Sequence, residues 1–182
     1  MIKKAVFLDR DGVINKSYVI DGKPFPPYKL EEVVIIDGVA EAIQNLRDLK
    51  FEIIVVTNQP DIARKKTTLK FINSIHKIIE EKIGRIHFYI CPHDDFDNCS
   101  CRKPKPGLLR TAALELNIDL NTSYLVGDRW RDIQAGQAAG CECFYIDYKY
   151  EDVQPKSPFI QVASLLEASN LISERNRQNG HQ

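Results

Sequence analysis

The chain alternates short, continuous apolar runs with longer segments in which apolar residues recur every three or four positions. Continuous runs predict buried strands, because a strand that is covered on both faces of a parallel sheet needs no polar side. Recurrence every three or four positions predicts amphipathic helices. The predicted strands span 4–9, 52–57, 87–91, 122–128 and 142–147, and the predicted helices span 39–49, 69–83, 106–116, 131–139 and 162–172.

This alternation predicts an α/β fold, a doubly wound and Rossmann-like parallel sheet of five or six strands with crossover helices. We expect one domain over residues 1–172 and no separate cap domain, because no segment between the strands is long enough to form one. The longest gaps, 10–37 and 91–105, contain loop-forming sequence, so loops alone should cover the active face. The remainder, 173–182, is poor in apolar residues and predicts a disordered tail.

The charge balance and the hydropathy of the chain argue against two classes of binding partner, nucleic acids and membranes. The 25 basic and 25 acidic side chains balance, which argues against a nucleic-acid partner. No apolar stretch has transmembrane length, and the N-terminus lacks the pattern of a signal peptide, so we expect a cytoplasmic protein with no membrane partner. Nothing in the pattern requires more than a monomer.

Polar side chains follow four of the predicted strands, at the point where each strand ends. Ligands of open α/β sheets bind beyond the carboxyl ends of the strands, so these side chains should converge on one pocket. In chain order they are Asp9 and Asp11, then Thr57, Asn58 and Gln59, then Arg102 and Lys103, and finally Asp128 and Asp132.

Two carboxylates stand close together after the first strand. If extended geometry continues past the strand, Asp9 and Asp11 point to the same side and Arg10 points away. Together with Asp128 they form an oxygen-rich site of the kind that binds Mg²⁺ and, with it, phosphate.

A phosphoryl-transfer role fits these residue types. Asp9 can attack phosphorus and form an acyl-phosphate, which splits one difficult displacement into two easier ones. Lys103 and the Thr57 hydroxyl can stabilise the phosphate oxygens, and Asp11 can protonate the departing alcohol and then deprotonate water. Each signal alone has an ordinary structural explanation, since Asp-Gly pairs favour turns and polar residues at strand ends often cap helices. Four such signals in order at successive strand ends favour a site.

The motifs FLDRDGVIN, VVTNQ and GDRWRD, together with Lys103, resemble those of the haloacid dehalogenase superfamily of phosphatases. The resemblance implies that Asp9 is the nucleophile. It implies that Asp11 is the acid and base, and that Asp11 also contributes its main-chain carbonyl to Mg²⁺. It further implies that Asp128 is a metal ligand and Asp132 a supporting carboxylate.

A second set of ligand-type residues follows the third predicted strand. Cys91, His93, Cys99 and Cys101 offer three thiolates and one imidazole within eleven residues, a closed four-ligand set for tetrahedral Zn²⁺. The intervening loop is acidic and has no apolar run, so a structural zinc would supply the rigidity that packing cannot. The alternative is a group of incidental thiols.

The whole segment CPHDDFDNCSCRKPKPGLL resembles the D-glycero-D-manno-heptose-1,7-bisphosphate 7-phosphatase family, and histidinol-phosphate phosphatases share its elements. This resemblance implies a Mg²⁺-dependent phosphatase of a small phosphorylated metabolite. A heptose bisphosphate is the first candidate, and histidinol phosphate or another metabolite is the alternative. Lys103 would lie at the reacting phosphate, and Arg102 at the remaining sugar or distal phosphate. Further substrate contacts are predicted at Arg10, Asn15, Asn58, Gln59 and Arg129.

The chain departs from this family after TNQ, where Pro60 and Asp61 replace a small residue and a glycine. Proline fixes φ and lacks an N–H, and the aspartate adds negative charge to a loop that faces substrate. We therefore expect catalysis to be retained and specificity to differ. Two other classes stay open from the residues alone: a phosphotransfer signalling domain with a long-lived phosphoaspartate, and a zinc-stabilised binding module.

Overall fold

The computed structural model describes residues 2–179, in which eight strands and five α-helices follow one another. The strands are β1 (Ala5–Leu8), β2 (Tyr18–Ile20), β3 (Lys23–Phe25), β4 (Glu52–Asn58), β5 (His87–Cys91), β6 (Tyr124–Gly127), β7 (Glu142–Ile146) and β8 (Ile160–Val162). The helices are α1 (Val39–Asp48), α2 (Leu69–Ile83), α3 (Gly107–Leu116), α4 (Trp130–Ala139) and α5 (Leu165–Asn179). Six strands form a parallel sheet in the order β5-β4-β1-β6-β7-β8, and β2 and β3 form an antiparallel hairpin. The predicted doubly wound α/β fold is therefore confirmed.

The first strand shows why continuous apolar runs become buried strands. Its side chains alternate between the two faces of the sheet, as the pleat requires. Val6 and Leu8 pack in the core formed with α1, α2 and α5, whereas Ala5 and Phe7 pack in the core formed with α3 and α4. Helices cover both faces, so all four residues are fully buried, and each large side chain contributes roughly 2 kcal/mol of transfer free energy.

The strand order brings two predicted site segments together. β1 pairs with β4 on one side and with β6 on the other, and the chain crosses back over the sheet after β5 to enter β6. The strand order thus reverses next to β1, and doubly wound sheets bind their ligands at such a reversal. Asp9 and Asp128, the residues that follow β1 and β6, therefore lie side by side at the carboxyl edge.

The sixth sheet strand is one that the apolar pattern does not reveal. β8 is three residues long and pairs with β7 at the sheet edge, in a segment whose pattern predicts a helix beginning at 162. A strand this short carries too little periodicity to be recognised. The helix α5 begins at Leu165 instead.

The helix α5 also continues beyond its predicted end, so the prediction of a disordered tail is wrong over 173–179. A polar contact to the far end of the chain helps to hold these last turns, because Lys4 Nζ donates to Asn176 Oδ1 at 2.8 Å. Residues 180–182 of the predicted tail lie outside the described residues. No helix in the described range, α5 included, is long and apolar enough to cross a membrane.

The hairpin β2–β3 lies in the proline-rich segment where only loops are expected. Asp21 and Gly22 form its turn with positive φ angles of 48° and 70°, and Asp-Gly is a pair that favours two-residue hairpin turns. The hairpin could therefore have been predicted from this pair and its apolar flanks. Pro24 and Phe25 of β3 line the pocket that also contains Asp9 and Asp128, so a hairpin as well as loops covers the active face.

Candidate active site

A buried lysine bridges two aspartates at the carboxyl edge of the sheet. Lys103 Nζ lies 2.7 Å from Asp9 Oδ1 and 2.5 Å from Asp132 Oδ1, and it donates to the Val56 carbonyl at 2.7 Å. The lysine side chain is only 2% exposed. Burial opposes its charge, but Asp132 and Asp9 outweigh burial and raise the pKa of Lys103. Burial also raises the pKa of Asp9 to about 6, although Lys103 acts against this.

Asp128 lies beside these groups, and its carboxylate has no hydrogen-bond partner of normal geometry among the described residues. Burial, with the neighbouring charges of Asp9 and Asp132, raises the pKa of Asp128 well above its usual range. Neither carboxylate oxygen has a hydrogen-bond partner of normal geometry in residues 2–179, although the Tyr150 hydroxyl is close enough to stabilise the anion. A buried carboxylate without a partner is costly unless a cation binds it.

The carboxylate cluster, formed by Asp9, Asp128 and Asp132, fits a divalent cation. One oxygen from each residue lies within 4.8 Å of the others. Clustered carboxylate oxygens are hard ligands of the type that Mg²⁺ prefers. Glycine is required at position 12 for two reasons. A Cβ there would lie 2.0 Å from Asp128 Oδ2, and the φ of +91° is one that other residues rarely adopt. The geometry thus brings the predicted ligands Asp9 and Asp128 together with the predicted supporting residue Asp132.

The Asp11 carboxylate is held by a separate set of donors. Arg10 Nη2 donates to Asp11 Oδ2 at 2.7 Å, Asn15 Nδ2 donates to Oδ1 at 2.9 Å, and Gln59 Nε2 donates to Oδ2 at 2.9 Å. Burial would raise the pKa of Asp11, but Arg10 and the other donors outweigh burial and hold the pKa below its usual value. Asp11 lines the same pocket as Asp9, as predicted.

Arg10 and Asn15, both predicted to contact substrate, are instead fully buried behind Asp11 and do not line the pocket. The expectation that Arg10 points away from Asp11 is wrong, because the chain turns after β1 and the alternation of a strand does not continue. On its other side Arg10 Nη1 lies 3.5 Å from His76 Nε2, and His76 stacks on Phe88. In the structure, Arg10 and Asn15 therefore donate hydrogen bonds that hold the Asp11 carboxylate in place.

The three polar residues predicted at the end of β4 do line the pocket. The Thr57 hydroxyl accepts a hydrogen bond from Gln59 Nε2 at 2.9 Å. Asn58 makes two hydrogen bonds with the backbone of Lys103, because its Nδ2 donates to the carbonyl at 3.0 Å and its Oδ1 accepts from the N–H at 3.1 Å. Asn58 therefore fixes the segment that carries the buried ammonium group.

The cysteine cluster, formed by Cys91, His93, Cys99 and Cys101, assembles after β5. Cys91 Sγ lies 3.7 Å from both His93 Nδ1 and Cys99 Sγ, and 3.3 Å from Cys101 Sγ. Cys101 Sγ lies 3.3 Å from His93 Nδ1 and 3.4 Å from Cys99 Sγ. With zinc–sulfur bonds of about 2.3 Å, the sulfurs of a tetrahedral site are about 3.8 Å apart, so this spacing fits Zn²⁺.

The cysteine cluster is joined to the sheet at one end. Cys91 is the last residue of β5, pairs with Asn58 of β4 and is buried, while Cys99 is partly exposed. Burial raises the pKa of Cys91. Burial acts in the same direction on Cys99, but hydrogen bonds with the Arg102 backbone and the neighbouring thiols lower the pKa of Cys99 to about 7. The thiolate is the form that binds a metal.

The carboxylate cluster borders a pocket of about 310 Å³. The pocket is also lined by arginine side chains and by Asp95 of the loop that carries the cysteine cluster. Of the predicted contacts, Arg102 Nε donates to Asp95 at 2.8 Å, and Arg129 Nε donates to Asp152 at 2.8 Å. Arg131, which lies in the GDRWRD motif but is not among the predicted contacts, also donates to Asp95 at 2.8 Å. The pocket thus offers positive charge to an anionic substrate, with aspartates pairing that charge in the free protein.

A further network around the pocket escapes sequence-based prediction. Tyr28 Oη donates to Asp61 Oδ2 at 2.7 Å, and Arg64 donates to Asp61 Oδ1 at 3.3 Å and to Asp94 Oδ2 at 2.6 Å. The network joins the segment after the hairpin, the loop after β4 and the cysteine-rich loop. Asp61, one of the two departures from the family motif, therefore ties these loops together at the pocket. Tyr28 lies 33 positions from Asp61, and Asp94 lies 30 positions from Arg64, so no short motif contains either pair.

Comparisons with known proteins agree with this site. A family model for haloacid dehalogenase-like hydrolases matches residues 19–140. A D-glycero-beta-D-manno-heptose-1,7-bisphosphate 7-phosphatase from Pasteurella multocida is 37% identical over 151 residues, which cover 76% of this chain and 78% of the relative. A D-glycero-alpha-D-manno-heptose-1,7-bisphosphate 7-phosphatase from Photorhabdus laumondii is 33% identical over 184 aligned residues, which cover 93% of this chain and 96% of the relative.

A solved structure resembles the whole fold. The crystal structure of D,D-heptose 1,7-bisphosphate phosphatase from B. bronchiseptica, complexed with magnesium and phosphate, matches with a TM-score of 0.80 and 27% sequence identity. The match covers 94% of this chain and 99% of the other. The chain therefore belongs to the haloacid dehalogenase-like hydrolases and is a phosphatase of that family.

Proposed function

We propose that this phosphatase hydrolyses the 7-phosphate of a D-glycero-D-manno-heptose 1,7-bisphosphate through an aspartyl-phosphate on Asp9. The observation that carries the proposal is the carboxylate cluster, in which Asp9 shares Lys103 with Asp132 while the buried Asp128 has no hydrogen-bond partner of normal geometry among the described residues. The names of the relatives supply the substrate class, and two of them are named for opposite anomers.

In the first step, a carboxylate oxygen of Asp9 bonds to phosphorus while the bond between phosphorus and the C7 oxygen breaks. Lys103 holds positive charge 2.7 Å from the nucleophile, where negative charge develops on the phosphoryl oxygens. Thr57 supports the same oxygens, because its hydroxyl accepts from Gln59 and its proton stays available for donation.

Asp11 carries the proton in both steps. It protonates the departing C7 oxygen, and it then accepts a proton from the water that displaces Asp9 from phosphorus. Arg10 opposes the effect of burial and holds the pKa of Asp11 low, which favours the carboxylate that accepts the proton from water. We assign Arg10 and Asn15 to the positioning of Asp11, in place of the substrate contact expected from the sequence.

The chemistry of the two ligand sets favours two metals. Asp9, Asp128 and the Asp11 carbonyl would hold Mg²⁺, which would offset the repulsion between the anionic nucleophile and the anionic phosphate. The thiol-rich set would hold a structural Zn²⁺, with three sulfurs and one nitrogen as ligands. Because thiolates persist in a reducing compartment, we assign the reaction to the cytoplasm. The four zinc ligands are Cys91, His93, Cys99 and Cys101.

The experiment is an assay of phosphate release, with Mg²⁺, from both anomers of the heptose bisphosphate, from histidinol phosphate and from p-nitrophenyl phosphate. We expect kcat/KM for one heptose bisphosphate anomer to exceed that for the aryl phosphate by about 10²-fold or more, since the second phosphate adds binding contacts. The product should be heptose 1-phosphate. A higher kcat/KM for histidinol phosphate would refute the heptose assignment, and a stable phosphoprotein without turnover would refute the hydrolytic reaction.

A further inference from the structure

Asp95 lies where two arginine side chains of the pocket converge. It begins a short 3₁₀ turn in the cysteine-rich loop. Asp95 Oδ1 accepts from Arg102 Nε at 2.8 Å and from Arg131 Nη1 at 2.8 Å, and Asp95 Oδ2 accepts from Arg102 Nη2 at 3.3 Å. The two arginines come from different segments, because Arg102 ends the cysteine-rich loop and Arg131 belongs to the first turn of α4. A single carboxylate therefore pairs with two pocket cations at once, and the three groups together keep a net positive charge.

The two arginines have other contacts that hold them in place. Arg102 Nη1 donates to the His93 carbonyl at 3.2 Å, and the Arg131 guanidinium lies over the Trp130 ring, 4.9 Å from its centroid. Their side chains are 11% and 27% exposed, whereas the Asp95 side chain is 47% exposed. The carboxylate is the most exposed member of the three, so it can leave while both guanidinium groups stay in position.

All three side chains line the same pocket as the nucleophile Asp9. Converging guanidinium groups bind phosphate well, because their planar forks match phosphate oxygens and the hydrogen bonds are assisted by charge. A carboxylate in that position offers two acceptor oxygens and a negative charge, as one edge of a phosphate does. Asp95 thus occupies a place that is suited to a second phosphate.

We propose that Asp95 is a specificity-determining residue that occupies, in the free protein, the subsite of the substrate's second phosphate. This inference rests on the proposed function, in which a bisphosphate brings one phosphate to Asp9 and another to the arginines. The second phosphate carries more negative charge than a carboxylate, so it displaces Asp95 from Arg102 and Arg131. A substrate with one phosphate leaves Asp95 in place. The product retains the second phosphate, so Asp95 also favours product release.

The variant Asp95→Asn tests this competition, because the amide keeps the shape of the side chain and removes its charge. We expect KM for the heptose bisphosphate to fall about fivefold, the scale of a partly exposed ion pair. The inhibition constant of the heptose 1-phosphate product should fall by the same factor. KM for p-nitrophenyl phosphate should stay unchanged. In an Arg131→Gln background, the effect of Asp95→Asn should shrink.

The matched control is Asp97→Asn, which removes the same charge from the same turn. Asp97 Oδ2 accepts from the Asp94 backbone N–H, and the described contacts of Asp97 include neither arginine. This control should change none of the three constants, and zinc content should be the same in all proteins. A rise or no change in the bisphosphate KM of Asp95→Asn, or an equal change for both substrates, would overturn the inference alone. If the unaltered chain does not hydrolyse the bisphosphate, the proposed function fails and the inference fails with it.

Discussion

The carboxylate cluster and the loop that carries the cysteine cluster border one pocket, but the fold builds the two clusters in different ways. In the carboxylate cluster, Asp9 and Asp128 follow buried strands and Asp132 lies in the first turn of α4. Asp128 and Asp132 are buried, Asp9 is partly buried, and Lys103 bridges Asp9 and Asp132. Only Cys91 of the cysteine cluster lies in a strand. The remaining three ligands lie in a loop whose large apolar residue, Phe96, is 97% exposed. The sheet holds the first cluster, whereas little packing holds the second.

This difference implies that the two clusters depend on metal in opposite ways. Two hydrophobic cores fix the carboxylate cluster, so loss of a cation there should remove activity and leave the fold intact. The cysteine-rich loop has little apolar surface to bury, so its order should come from its metal. The two regions are connected through Lys103, which follows Cys101 closely in the chain and places its ammonium group among the carboxylates. Loss of zinc should therefore also lower kcat, because it would disturb the position of Lys103.

The largest expected effect follows from changing the nucleophile. Asp9→Asn should lower kcat by about 10⁴-fold or more, because the amide is nearly the same shape but a poor nucleophile. The melting temperature should change little. Asp48→Asn on α1 is the matched control: Asp48 does not line the pocket, and an asparagine there can still accept the hydrogen bond from Gln44. Turnover at a tenth of the parental rate by the Asp9 variant would rule out a covalent role for Asp9.

The second effect separates the two metals. A ligand at a thousand times its dissociation constant stabilises a fold by about 4 kcal/mol, and 1 kcal/mol shifts Tm by about 2–4 °C at this chain length, so loss of zinc should lower Tm by about 10 °C. Cys101→Ser should show this loss together with reduced turnover. Removal of Mg²⁺ alone should stop turnover with a much smaller change in Tm. Calorimetry and zinc analysis provide the measurements.

The control for this prediction is Ser100→Ala, which alters the neighbouring exposed residue of the same loop without removing a ligand. It should retain zinc, Tm and activity. Equal melting temperatures for Cys101→Ser and Ser100→Ala would show that the cysteine-rich loop is ordered without its metal, and the contrast between the two clusters would then be lost.

The parts of the site that can be predicted from sequence are those with a local signal. Asp9, Asp128 and Cys91 each follow or end a continuous apolar run, so their places at the carboxyl edge follow from the strands. The cysteine ligands lie within eleven residues, and their spacing alone indicates a metal site. The fold and the two sets of metal-ligand residues can therefore be predicted from the sequence.

The parts that cannot be predicted depend on side-chain directions and on distant partners. Arg10 turns toward Asp11 because the strand ends before it, and no periodic pattern applies beyond that point. The bond between Asp95 and Arg131 joins residues that are 36 positions apart, so no motif contains both. Whether a predicted residue reaches the pocket depends on these directions, which only packing decides.

A smaller effect is expected where the two regions are connected. Asn58→Ala should lower kcat about tenfold, because the side chain makes two hydrogen bonds with the Lys103 backbone and their loss leaves the ammonium group less well positioned. Zinc content should be unchanged, which distinguishes this variant from Cys101→Ser. Zinc loss in Asn58→Ala would mean that the sheet also holds the cysteine cluster, and the two regions would not be independent.

The smallest effect concerns His76, which contacts Arg10 on the side away from Asp11. Burial, with Arg10, lowers the pKa of His76 from 6.5 to about 3, so the imidazole is neutral in the folded state and can accept from Arg10. Below about pH 6.5 the unfolded chain binds a proton at this position and the folded chain does not. Folding stability is therefore lost as the pH falls below this value, by about 1.4 kcal/mol one unit lower.

His76→Gln should remove this part of the pH dependence, because glutamine can accept from Arg10 and does not titrate. Urea unfolding at about pH 7.5 and about pH 5.5 should show a decrease in the free energy of unfolding that is about 1 kcal/mol smaller than in the parent chain. The exposed His87→Gln is the matched control, and zinc release at low pH affects all three proteins alike. If His76→Gln loses as much stability on acidification as the parent, the imidazole is not held neutral, and the carboxylate side of the pocket would owe its acid sensitivity to other groups.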